Sequence, residues 1–258
     1  MQVVLLFVVA SFGVLALAVA LRHRRNQRSY AHLVAHTVEI YGFLSATSGP
    51  EGLRGVVPRG RWQLWRAGRV LATLAGCFVE CRAERVRVLS QAWGVEQMLL
   101  RTIGHPISSR RAAEAMELLL GLHPSLQAAG RVEECRFRTA RAALARLLVV
   151  LYAKPSQVAS LLKMHPHRLS WQQMGRVVEV LKMRNWVLEM PRWDGASCYN
   201  LQLLELYMAQ VEGVGDAPAV ASRLSEAPDM SLRRAATNTL WSVRRFPRFG
   251  GSPRGPRG

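Results

Sequence analysis

The sequence predicts an all-α protein, an α-solenoid of helical hairpins preceded by a single N-terminal transmembrane helix. Three observations predict it. Residues 3–21 contain no charged side chain. Beyond residue 66, apolar residues recur at intervals of three and four, which is the periodicity of amphipathic helices. Proline residues fall in the gaps between these stripes, and no stretch alternates apolar and polar residues for long enough to predict a strand.

The first predicted element is the membrane anchor, residues 1–21. Its uncharged run VVLLFVVASFGVLALAVAL is close to the length of about 20 residues that a helix needs to cross a bilayer. A basic cluster follows at Arg22, Arg24, Arg25 and Arg28. Positive flanks stay on the cytoplasmic side, and a secretory signal peptide would carry its charges before the apolar run. We therefore expect a single-pass inner-membrane protein with its N-terminus outside and the bulk of the chain in the cytoplasm.

Residues 22–65 are predicted to form a basic juxtamembrane segment and loop. The stretch 45–60 is rich in Gly, Ser and Pro, which is typical of a loop. The Arg-flanked residues Trp62 and Trp65 that follow allow two interpretations. Their rings could lie at the membrane interface, with the neighbouring arginines and the basic cluster on anionic lipid headgroups. Alternatively, both rings belong to the core of the first repeat helix.

Residues 66–248 are predicted to form the helical repeat domain. One apolar stripe contains Ala112, Met116 and Leu119, another contains Leu201, Leu204, Met208 and Val211, and prolines such as Pro106, Pro124, Pro155 and Pro166 mark the turns between stripes. Serines that shortly precede apolar-periodic runs are predicted helix N-caps: Ser156, Ser170, Ser197 and Ser231. Short helices joined by such turns are typical of a solenoid, in which each hairpin packs against its neighbours. Residues 249–258 (FGGSPRGPRG) are predicted to be a disordered basic tail.

Three segments resemble the start of a HEAT or armadillo-type repeat, in which a turn leads to Arg, then Ala and Leu. They are Asp229–Leu240, Phe137–Leu144 and Ser109–Met116. The chain also resembles a family of membrane-anchored HEAT-repeat proteins of Bacteroides-type bacteria, through its Arg-Trp-rich start, Trp171–Gln173 and Leu203–Leu206. This resemblance implies a HEAT-like scaffold and supplies no catalytic residues. The uneven spacing of the hairpin starts leaves the repeat count open.

The sequence contains no constellation that predicts catalysis or cofactor binding. Cys77 and Cys81 sit in an amphipathic pattern without a Cys-x-x-Cys knuckle, and His32 and His36 have no third ligand nearby. Phosphate-binding glycine loops and paired carboxylates for acid–base chemistry are missing. We therefore expect a non-enzymatic protein with no catalytic residue, no metal, no cofactor and no small-molecule substrate.

The formal net charge of +18 indicates an acidic partner surface. We expect a scaffold or adaptor that binds an unidentified protein at the cytoplasmic face, through Arg138, Arg141, Arg233 and Arg234 as candidate partner-binding residues. A membrane-associated nucleic-acid-binding repeat protein is the alternative, because arginine also neutralises phosphates. We favour the scaffold, since the arginines are spread along the chain and recognised nucleic-acid-binding motifs are missing.

Overall fold

A computed structural model describes residues 27, 31, 37–45, 53, 58, 60–77, 82–106, 108–186, 198–213 and 217–245. Every regular element in these ranges is helical, so the all-α prediction is confirmed. No helix within the described ranges is both long and apolar enough to cross a membrane. The predicted anchor at residues 1–21, the basic cluster after it and the tail at residues 249–258 lie outside the described residues.

The chain divides into two compact units, residues 1–135 and residues 136–258. The described helices of the N-terminal unit are α1 (Thr37–Leu44), α2 (Arg61–Cys77), α3 (Ala83–Ala92), α4 (Val95–Gly104), α5 (Ser109–Gly121) and α6 (Leu126–Glu134). Helices α2, α4 and α5 pack against one another. Helix α3 contacts α2 and α4, α1 contacts α3, and α6 contacts α4.

Helix α5 shows how local sequence builds this unit. The Ser108 side chain accepts a hydrogen bond from the Arg111 backbone N–H at 3.2 Å and caps the helix. The predicted apolar stripe is buried, with Ala112, Met116 and Leu119 fully inaccessible to solvent. At the far end, a Cβ atom added to Gly121 would lie 2.9 Å from Ala72 Cβ, so α2 and α5 approach each other closely there.

Trp65 belongs to the core of the N-terminal unit, and only 5% of its surface is exposed. The Arg111 guanidinium lies 3.7 Å from the centroid of its ring, a cation–π contact. A ring covered in this way is not available to lipid headgroups, so the structure favours the core interpretation of Trp65 over the membrane-interface one. Helix α2 also begins at Arg61, and the predicted domain boundary at residues 65/66 falls within it. The Trp62 side chain lies outside what the structure describes.

The C-terminal unit is built around α7 (Ala140–Ala153), most of which is buried. Its other described elements are a 3₁₀ turn (Pro155–Gln157), α8 (Val158–Met164), α9 (Trp171–Met183), α10 (Tyr199–Tyr207), a π-helical turn (Met208–Glu212), α11 (Ala217–Leu224) and α12 (Met230–Arg245). Helix α9 packs between α7 and α10. Helix α10 in turn contacts α8, α11 and α12, and α11 and α12 form the most extensive pair.

Helix α9 has well-defined ends. The Ser170 side chain accepts from the Gln173 N–H at 3.3 Å, and the Gln173 side chain accepts from the Ser170 N–H at 2.8 Å, which together form a capping box. At the C-terminal end, Asn185 adopts a left-handed conformation with φ of 53°. The Trp186 N–H there donates to the Leu181 carbonyl, as in a Schellman motif. The Trp171–Gln173 stretch therefore has a local structural role as a helix start.

The loop between α8 and α9 is held by Asn200, a buried residue of α10. Its amide nitrogen donates to the Leu162 carbonyl at 3.3 Å and to the His167 carbonyl at 3.2 Å. Its amide oxygen accepts from the Leu169 N–H at 3.0 Å. One side chain thus bonds to one backbone group of α8 and two of the loop that follows it, and fixes the approach to α9.

Candidate partner-binding face

Helix α12 presents one buried side to the C-terminal unit. Leu232, Ala236 and Thr239 on this side are fully inaccessible to solvent. The Thr239 hydroxyl lies 2.7 Å from the side-chain oxygen of Gln210, in the π-helical turn after α10. Because α12 is anchored along this line, its opposite side is fixed in orientation and faces solvent.

Asp229 fixes the N-terminal end of α12. Its Oδ1 accepts hydrogen bonds from the N–H groups of Ser231 at 2.9 Å and Leu232 at 3.1 Å, which caps the helix. Its Oδ2 forms an ion pair with Arg168, which lies in the loop before α9. A single carboxylate therefore both starts α12 and ties it to the rest of the unit.

Tyr199 lies beside this ion pair. The Arg168 guanidinium is 5.4 Å from the centroid of its ring, and its hydroxyl donates to the Leu169 carbonyl at 3.4 Å. Burial raises the pKa of Tyr199, the Asp229 carboxylate raises it further, and the Arg168 charge opposes both. Tyr199 therefore stays neutral at physiological pH and acts as a packing surface for Arg168.

The solvent side of α12 combines apolar and cationic residues, and we call it the α12 face. Its members are Met230, Arg233, Arg234, Thr237, Asn238 and Trp241, all exposed. Met230 is 75% exposed and Trp241 63% exposed. They are eleven positions apart, about three helical turns, so both side chains project from the same side about 16 Å apart along the axis. The two arginines lie between these apolar ends.

The chemistry of the α12 face suits recognition of an acidic surface. The Arg233 and Arg234 side chains form no hydrogen bond or ion pair with any described residue. Each guanidinium can therefore donate two hydrogen bonds to one carboxylate without first breaking an ion pair within the protein. Tryptophan and arginine are also the residue types that contribute most to the binding energy of protein interfaces.

The structure separates the two predicted arginine pairs. Arg138 precedes α7 and Arg141 is its second residue, and both are exposed. They lie at the start of α7, whereas Arg233 and Arg234 belong to α12. No exposed tryptophan or methionine accompanies them in the described part of α7. The α12 face is therefore the better-developed candidate. The predicted lipid-binding residues Arg22, Arg24, Arg25 and Arg28 lie outside the described residues.

Sequence reasoning did not assign Met230 or Asp229 to the candidate site. Met230 could have been assigned from the sequence, because residues 11 positions apart on a helix, as Met230 and Trp241 are, lie on the same side. The Arg168 partner of Asp229 lies 61 positions earlier in the chain, and no local pattern could have indicated it.

Comparison with known proteins finds no matching protein family, no matching curated protein and no matching solved structure. The resemblance to membrane-anchored HEAT-repeat proteins therefore remains a hypothesis. Within the described part of the chain, no group of three or more His, Cys, Asp or Glu side chains is placed to hold a metal ion.

Proposed function

We propose that this chain is a non-catalytic scaffold or adaptor that binds an acidic protein partner through the α12 face. In this proposal residues 1–21 anchor it in the inner membrane, and its helical hairpins form a HEAT-like array at the cytoplasmic surface. The observation that carries the proposal is the exposed pairing of Met230 and Trp241 with two unpaired arginines on one well-anchored helix.

The packing of α11 and α12 supports the repeat part of the proposal. The two helices are joined by five residues and pack against each other and against α10. This is the hairpin organisation expected of a helical repeat. In the N-terminal unit α2 also packs against α5, three helices later in the chain, so the C-terminal unit provides the clearer support.

Nucleic-acid binding is the second candidate function. The net charge of +18 favours it, and the exposed Trp241 ring offers a stacking surface beside cationic side chains. The scaffold is preferred because Trp241 is the single large aromatic among the described residues of the α12 face. Binding to a nucleic-acid strand usually uses several such rings.

Site-specific photo-crosslinking tests the choice. A photoreactive amino acid replaces Asn238, which is exposed on the α12 face, in the full-length chain in its native membranes. A matched variant carries it at Gln172, which is exposed on α9. The proposal predicts a discrete protein adduct from position 238 and none from position 172. An adduct that nuclease removes would establish the second candidate, and the same adducts from both positions would refute a specific face.

A further inference from the structure

A second binding feature lies in the N-terminal unit, in a groove between α4 and α6. Two adjoining cavities of about 500 and 370 Å³ form it, and they share Gln97, Leu100 and Arg131 as lining residues. We call the two together the α4–α6 groove. Ile103 and Ala128, which are both buried, form part of its apolar floor.

Four polar side chains of the groove, two cationic and two amide, have no side-chain partner among the described residues. Arg101 projects from α4 and Arg131 from α6, and neither side chain forms a hydrogen bond or ion pair with a described residue. Gln97 and Gln127 are likewise exposed and without side-chain partners among the described residues. Two helices therefore bring two unpaired guanidinium groups and two free amides to one depression.

The carboxylates of the groove differ in availability. Glu96 is only 8% exposed. It accepts from Ser125 at 3.2 Å and from Gln91 at 3.4 Å. Ser125 in turn caps α6 by accepting from the Ala128 N–H at 3.1 Å, so Glu96 is occupied in joining α4 to α6. Glu134, at one end of the groove, is the exposed acid.

We propose that the α4–α6 groove binds an extended acidic peptide segment of a partner protein. Carboxylate side chains would pair with Arg101 and Arg131, and the Gln97 and Gln127 amides would bond to the peptide backbone. A helix of the length of α4 spans about 15 Å, which matches four to five extended residues. The Glu134 carboxylate repels other carboxylates, so we expect the acidic residues of the peptide to lie away from the Glu134 end of the groove. This site is separate from the α12 face and does not depend on the function proposed for it.

The lining chemistry favours a peptide over a nucleic-acid strand. A continuous phosphate chain would meet the Glu134 carboxylate and pass close to Glu96. None of the residues that line the two cavities is Phe, Tyr or Trp, so no indole, phenol or phenyl ring is available for base stacking. The amides and the apolar floor suit alternating acidic and aliphatic side chains.

The test is fluorescence polarisation with the full-length chain in detergent micelles. The probe is a fluorescein-labelled hexapeptide in which glutamate and leucine alternate, and the control probe has glutamine in place of glutamate. The double variant Arg101→Ala, Arg131→Ala is compared with Arg69→Ala, Arg82→Ala, two exposed arginines of the N-terminal unit that do not line the groove. Both remove two positive charges, so they alter non-specific attraction equally.

The proposal predicts that the Arg101/Arg131 variant binds the acidic probe about tenfold or more weakly, whereas the Arg69/Arg82 variant binds like the wild type. Equal binding by the wild type and the Arg101/Arg131 variant would overturn the proposal. So would equal binding of the glutamine probe, or equal weakening by the Arg69/Arg82 variant, which would indicate non-specific attraction alone. Tighter, Arg101-dependent binding of a single-stranded oligonucleotide would replace the peptide with a nucleic acid.

Discussion

At the scale of single residues, Asp229 determines how α12 starts and where it is held. Its carboxylate caps the helix and pairs with Arg168. We predict that Asp229→Ala lowers the free energy of unfolding of the C-terminal unit by about 1 to 2 kcal/mol, since cap deletion alone costs about 1. Urea unfolding followed by circular dichroism measures it. Ser231→Ala is the matched control, and a loss as large as that of Asp229→Ala would contradict the assignment of the cap.

Asn200 is a second residue whose side chain we expect to contribute strongly to the free energy of unfolding. Asn200→Ala removes a hydrogen bond from the Leu162 carbonyl of α8 and from two backbone groups of the α8–α9 loop, and we predict a loss of about 2 to 3 kcal/mol in the free energy of unfolding. Asn238→Ala, on the solvent side of α12, should change it by less than about 0.5 kcal/mol. Urea titration of the two variants compares them, and equal stabilities would show that the loop does not need Asn200.

His165 gives the C-terminal unit a sensitivity to acid. Its Nε2 atom and that of His167 are buried without hydrogen-bond partners among the described residues, and the rings are 6.0 Å apart. Burial, the neighbouring His167 and the Arg146 charge lower the pKa of His165 from 6.5 to about 4. Between these values the unfolded chain binds a proton that the folded chain does not, so acidification stabilises the unfolded state.

The free energy of unfolding should therefore fall as the pH falls from 6.5 towards 4. His165 retains partial solvent contact, so the expected loss is reduced by screening to roughly 1 to 2 kcal/mol. Urea unfolding at several pH values in this window measures it for the wild type and for His165→Gln. The difference between the two curves isolates His165 from the carboxylates, and parallel curves would contradict the prediction.

Local sequence predicted some of these roles and not others. Ser170 was expected to cap a helix and does so. Ser231 was expected to cap α12, and this was wrong because Asp229 already occupies the donors, including the Ser231 N–H. Ser156, another expected cap, lies inside a 3₁₀ turn, and α8 has no side-chain cap. The roles of Asn200 and His165 depend on groups distant in sequence, which periodicity does not reveal.

At the scale of helices, the close approach of α2 and α5 predicts that a larger residue at the contact destabilises the N-terminal unit. The Cβ of Gly121→Ala would lie 2.9 Å from Ala72 Cβ, a rigid atom, so the helices must separate. We expect a loss of about 1 to 3 kcal/mol in the free energy of unfolding of the N-terminal unit. Gly130→Ala is the control, since no atom lies within 4 Å of its added Cβ and helix propensity favours alanine by up to about 1 kcal/mol. Thermal unfolding distinguishes the two, and stabilisation by both substitutions would contradict the packing.

Helix positions were predictable because apolar stripes and proline turns are local signals. The stripe with Ala112, Met116 and Leu119 is buried as expected. Helix α2 begins at Arg61, so the predicted start of the repeat domain at residue 66 falls inside a helix. The α4–α6 groove was not foreseen, since its arginines come from two helices 30 residues apart whose packing no single stripe specifies.

At the scale of the whole chain, the proposed function combines a predicted membrane anchor with two cationic surfaces. The chain has 35 Lys and Arg residues against 17 Asp and Glu residues, so about half of the cationic side chains cannot each have an acidic partner. Charge alone therefore cannot distinguish a binding surface from a solvated one. The α12 face is distinguished by Met230 and Trp241, two large apolar side chains that a solvated face would not ordinarily expose together.

The most direct test of the central claim is a crosslinked pull-down of the full-length chain from native membranes, washed at low and at high salt. Wild type is compared with Arg233→Ala, Arg234→Ala, Trp241→Ala and with the charge-matched Arg69→Ala, Arg82→Ala, at two exposed positions of the N-terminal unit. A scaffold acting through the α12 face predicts a defined protein partner that survives high salt and is lost only from the α12 variant. Nucleic acid recovered at low salt and released at high salt, with no stable protein partner, would contradict the account.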